Sequence, residues 1–135
     1  MKKLFSAFCV ALLLFGCSSK EKNELEEALV SKFKDDQDLK DYHLDPKDIA
    51  DCVIEQIADA LPGFTGDPRR NRFFEAHAHF INASNPADAE KAVTDYQELF
   101  GSANKARAAA MNVTTHIMTC MGKAMDAGYA EQGQQ

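Results

Sequence analysis

Residues 103–127 read ANKARAAAMNVTTHIMTCMGKAMDA, and their spacing decides the fold. Ala106, Ala110, Val113, Ile117, Met121 and Ala124 recur at intervals of three and four, the period of one helix face. Met111, Met118 and Met125 repeat every seven residues beside them. The apolar arc covers about half of the helical wheel, which predicts a long helix at the centre of a bundle. Gly101-Ser102 supplies a break and a new cap before it. Gly128 is expected to end it, and residues 129–135 are expected to form a disordered tail.

Asx-Pro pairs punctuate the sequence upstream. Asp45-Pro46, Asp67-Pro68 and Asn85-Pro86 each place a good N-cap before a proline suited to the first helical turn. Asp48 and Asp88 add negative charge where the helix dipole favours it. Helices are therefore predicted over Pro46–Leu61, Pro68–Ala83 and Pro86–Phe100. Another, over Glu21–Asp35, carries Leu25, Leu29 and Phe33 at spacing four. The acidic segment 35–45 is expected to be a loop or a frayed extension, and Phe64 to tuck into the core from the Pro62-Gly63 turn. No stretch alternates like a strand. The fold class expected is all-α, a compact bundle of about five helices over residues 21–128.

The N-terminus carries an address. Lys2 and Lys3 precede an apolar run, Leu4–Phe15, of about a dozen residues, too short for a membrane-spanning helix of roughly 20. The run closes in Leu14-Phe15-Gly16-Cys17, followed by Ser18-Ser19. This arrangement resembles the signal peptide and lipobox of bacterial lipoproteins. The resemblance covers residues 1–19 and implies nothing about the mature fold. It implies cleavage after residue 16, acylation of Cys17, and a tether over residues 17–20. Asp after the lipidated cysteine tends to retain such proteins in the inner membrane. Ser18 in its place points to the outer membrane, with the domain facing the periplasm.

The whole chain has 135 residues and a formal charge of −6. Removing sixteen residues leaves 119, and losing Lys2 and Lys3 takes the charge to −8. That length suffices for one domain with a real core. An acidic domain argues against nucleic acid and against electrostatic adhesion to anionic lipid, so the acyl chains must hold the membrane.

Cys9 leaves with the signal and Cys17 is acylated, so Cys52 and Cys120 remain as two thiols in an oxidising compartment. Each lies at the edge of its helix's apolar arc, and the pair is expected to form an inter-helix disulfide. The functional alternative is a reactive thiol: His116, four residues before Cys120, can reach it on a helix.

Three further features carry candidate chemistry. His77 and His79 lie about 200° apart on a helical wheel and cannot chelate together. His77 is expected among Phe73, Phe74, Phe80 and Ile81, with His79 on the solvent side. The methionines beside Cys120 admit Cu(I) binding, but their spacing fits a packed seam better, so no metal is assigned. Arg69, Arg70 and Arg72 form a dense basic cluster in the first turns of a helix whose dipole prefers anions. Pairing with Asp59 or Asp67 is the plain account. The sharper one is contact with an anion or an acidic partner, because arginine forks match carboxylate and phosphate.

No nucleophile elbow, Gly-rich phosphate loop or zinc spacing is present. The expected function is that of a membrane-anchored, periplasm-facing, non-catalytic lipoprotein that binds an envelope or secreted protein, as adaptors and immunity proteins do. No cofactor is implied. The alternatives are a small-ligand or metal binder using a pocket near His77 and the methionine stripe, and a thiol-dependent enzyme using Cys120 and His116.

Overall fold

In the computed structural model the described residues are 19–132. They form six helices and no strand: α1 (Lys20–Phe33), α2 (Gln37–Asp41), α3 (Pro46–Ala60), α4 (Arg70–Asn82), α5 (Pro86–Phe100) and α6 (Ala103–Gln132). The expected signal segment 1–16, the expected acylation site Cys17, Ser18 and residues 133–135 lie outside the described residues.

Two of the Asx-Pro pairs cap as their chemistry dictates. The Asp45 carboxylate accepts from the backbone N–H of Lys47 at 2.7 Å and of Asp48 at 3.3 Å. The Asn85 side-chain oxygen accepts from Asp88 N–H at 2.9 Å. The third pair behaves differently. Asp67 accepts from Arg69 N–H at 2.9 Å, and its carboxylate is also clasped by the Arg69 guanidinium. Residues 67–69 therefore make a turn, and α4 starts at Arg70 rather than Pro68.

Local capping explains two more departures. The Ser19 hydroxyl accepts from Lys22 N–H at 3.2 Å, so α1 begins at Lys20, inside the expected tether. Asp36 accepts from Leu39 N–H at 3.1 Å, and Leu39 is buried. This cap and this anchor fold the expected acidic loop into α2.

The five longer helices close in a ring. α1 packs on α4, α4 on α5, α5 on α6, α6 on α3, and α3 returns to α1. Leu25, Leu29 and Phe33 of α1 meet Ile49, Val53 and Ile57 of α3 and Phe74 and Ala78 of α4 in one core. Full burial of each large side chain contributes roughly 1.5–3 kcal/mol.

α6 is not the central helix its apolar arc predicts. Over residues 103–128 its buried residues are Ala106, Val113 and Cys120, seven apart, a single narrow seam. Ile117, Met121 and Ala124 are half-buried beside it, whereas Met111 and Met118 stand 67% and 69% exposed. α5, α3 and α4 pack against that seam, and the face that carries Met111 and Met118 stays open. The helix also continues through Gly128 to Gln132, into the expected tail. One glycine costs a helix only about 1 kcal/mol relative to alanine, and Ala127 precedes it. Phe64 does not tuck into the core; it is 70% exposed.

Candidate functional site

Cys52 of α3 and Cys120 of α6 form a disulfide, with Cα atoms 5.9 Å apart. Cys120 is buried and Cys52 half-buried. Gln56, one turn beyond Cys52, sits over the bridge. Its amide Nε2 donates to Cys120 Sγ at 3.0 Å and lies 3.7 Å from Cys52 Sγ. Its Oε1 faces His116 Nδ1 at 2.9 Å. A carbonyl oxygen only accepts, so His116 carries its proton on Nδ1. Burial holds the His116 imidazole below its usual range. His116 thus spends its near nitrogen on Gln56 rather than on sulfur. As a disulfide, Cys120 offers no thiolate for nucleophilic chemistry. Gln56 escaped the sequence reading because a glutamine four residues from a cysteine carries no signal until the partner helix is placed.

His77 lies where its phase puts it, buried, while His79 is exposed. The His77 Nδ1–H donates to the Phe73 carbonyl at 2.7 Å. Its ring stands edge-on to Phe80 at 5.7 Å and Phe100 at 5.8 Å. Phe73 meets Phe100 at 5.2 Å, and Phe80 meets Tyr96 at 6.3 Å, so α4 and α5 share an aromatic cluster. Burial pushes the His77 pKa down, and the nearby His116 adds to that. The Tyr96 hydroxyl donates to Glu75 at 3.1 Å, and burial together with this carboxylate raises its pKa to about 12.

The three arginines separate into three roles. Arg69 grips Asp67, with Nη2 at 2.6 Å from Oδ2. Asp67 is buried, and its hydrogen bonds from Arg69 hold its carboxyl below the usual range. Arg70 is buried and donates through Nη2 to the Ala58 carbonyl at the end of α3, while its Nε has no partner among the described residues. Arg72 is exposed and forms no ion pair among the described residues. The expected cluster is therefore one paired residue, one structural residue and one residue open to solvent.

Two further surfaces stand out among the described residues. One is a groove of about 750 Å³ between the start of α1 and the α3–α4 connection, lined by Ser19, Lys22, Phe64 and Arg70 among others. The other is the outer face of α6. Between Arg107 and Lys123 the sequence has no charged residue, although 27% of the chain is charged. Ala108, Met111, Thr115 and Met118 are exposed along this stretch at spacings of three and four. The result is an uncharged helical face in which large and small side chains alternate. No helix among the described residues is long and apolar enough to cross a membrane. Among the described residues no group of three His, Cys, Asp or Glu side chains is placed to hold a metal ion.

No protein-family model, no curated protein and no solved structure matches this chain.

Proposed function

We propose that the chain is a lipid-anchored, periplasm-facing, non-catalytic protein that binds another protein, in the manner of an envelope adaptor or an immunity protein. The observation that supports it is the exposed, uncharged face of α6. Charge is depleted and methionine enriched at the cores of protein interfaces, and methionine adapts to a partner's surface. The anchor rests on the Leu14-Phe15-Gly16-Cys17 pattern, with acylation at Cys17 and the outer membrane as its destination.

The test uses protein solubilised from its own membranes. A stoichiometric partner should co-purify with the wild type. It should be lost from the Met111→Glu, Met118→Glu double variant, whose exposed positions leave the helical signal intact. Retention of the partner by a folded double variant would reject this face as the binding surface. Mass spectrometry should place the mature N-terminus at an acylated Cys17, and Cys17→Ala should be neither cleaved there nor acylated. A different N-terminus in the wild type would reject the anchor.

A further inference from the structure

The connection Pro62-Gly63-Phe64-Thr65-Gly66 between α3 and α4 carries no charge, and Phe64 projects from it 70% exposed. The loop is held in place. Asp67 N–H donates to the Phe64 carbonyl at 3.0 Å, closing a turn. Gly63 and Gly66 sit at φ 86° and 91°, and a Cβ on Gly63 would stand 2.6 Å from Asp67 Oδ2. Asp67 is itself buried and clasped by Arg69. A fixed turn therefore presents an aromatic ring to solvent. The same groove that Phe64 lines is lined by Ser19 and Lys22 at the start of α1. Ser19 caps α1, and Cys17 precedes it by two residues, a reach of at most about 7 Å. An acylated Cys17 consequently brings the bilayer surface to this end of the molecule, beside the loop.

We propose that the Pro62–Gly66 loop is a second membrane contact, seating Phe64 at the headgroup–acyl boundary of the bilayer that holds Cys17. This rests on the lipid-anchor reading above. An aromatic ring gains by leaving water at that boundary, and the uncharged loop around it brings no charge to desolvate. Lys22 on the rim suits lipid phosphates, and Asp59 on the same rim opposes them, so apolar burial carries the contact. With two points of attachment, the domain stands on the membrane in one orientation instead of swivelling on a tether.

The chain has no tryptophan, so one introduced indole reports alone. Full-length acylated Phe64→Trp and Met118→Trp variants would be reconstituted into vesicles of phosphatidylethanolamine and phosphatidylglycerol. Flotation with the vesicles is measured first. In floating protein, Phe64→Trp should emit to the blue of Met118→Trp and lose most of its intensity when the lipids are brominated on their acyl chains. Met118→Trp should not be quenched. Floating protein whose Phe64→Trp emission resembles Met118→Trp and ignores bromine would overturn the contact while leaving the anchor intact. A blue shift without bromine quenching would mean that a second copy covers the loop, and would overturn it too. Wild-type acylated protein that fails to float would sink the anchor, and this contact with it.

Discussion

The side-chain amide of Gln56 donates to Cys120 Sγ at 3.0 Å, tying α3 to α6 at the point where the disulfide also joins them. The bridge closes a loop across 68 positions of sequence. Loop-entropy bookkeeping, which assigns the effect to the unfolded chain, puts the stabilisation at about 4 kcal/mol. Cys52→Ser should therefore lower unfolding free energy by roughly 2–5 kcal/mol in urea titrations. Gln56→Ala, with the disulfide intact, should cost only about 1 kcal/mol, the ordinary value of a hydrogen bond. Two titratable thiols in protein purified without reductant would contradict the bridge.

Acid should weaken the fold in two separate windows. His77 is held neutral by burial, so its folded pKa lies below the unfolded value of about 6.5. The unfolded chain then binds more protons as pH falls, and the stability that is complete above that value is lost on the way down. The slope is at most about 1.4 kcal/mol per pH unit for one histidine. His116 shifts the same way and adds less, because solvent screens it. Asp67, whose carboxyl is lowered, adds its loss only as pH falls through the carboxylate range. Melting temperatures between pH 7.5 and pH 5 should fall in the wild type and fall less in His77→Phe, the window being about the histidine range. Equal slopes in both proteins would show that His77 does not titrate with unfolding.

The helical phasing that placed Leu25, Leu29, Ile49, Val53 and His77 inside was legible because each lies on an amphipathic stripe of ordinary width. The same arithmetic overstated α6. The predicted arc counted Met111 and Met118, which stand exposed on the outer face, so it is wider than the seam of Ala106, Val113 and Cys120 that the helix buries. α2 was hidden because a five-residue helix has too few turns for a period, and only the Asp36 cap and buried Leu39 mark it. The cysteine pair is readable from helical phase, since both residues sit at the edge of an apolar arc. Gln56 is not, because its role depends on two residues more than fifty positions away. Phe64 was misplaced because hydrophobicity says what water disfavours, and not whether a glycine-bounded turn can point inward.

The arginines should separate under substitution. Arg70→Ala removes the donor to the Ala58 carbonyl and should cost about 1–3 kcal/mol. Arg69→Ala strips the guanidinium from a buried carboxylate, so the melting temperature should drop and the Asp67 pKa should rise toward its ordinary range. Arg72→Ala touches neither arrangement and should stay within about 0.5 kcal/mol of wild type. Only Arg72 can then report on a partner without disturbing the fold. Arg72→Glu should slow association with an acidic partner and weaken its salt dependence. Unchanged kinetics at every salt concentration would remove the cluster from the binding surface.

Gly63 offers the sharpest check on the α3–α4 turn. Its φ of 86° lies where L-residues are strained by roughly 1–2 kcal/mol. A β-carbon there would also meet Asp67 Oδ2 at 2.6 Å, and that oxygen is not free to move, because Arg69 Nη2 holds it at 2.6 Å. Gly63→Ala should therefore destabilise by more than the backbone term alone, and the excess should shrink in an Arg69→Ala background where the carboxylate can swing away. Gly66 has a similar φ, but a β-carbon there would find nothing within 4 Å, so Gly66→Ala should show the backbone cost only. Urea titrations of the two alanine variants, singly and with Arg69→Ala, measure all of these terms. Equal losses at both glycines would mean that the Asp67–Arg69 clasp does not brace the turn.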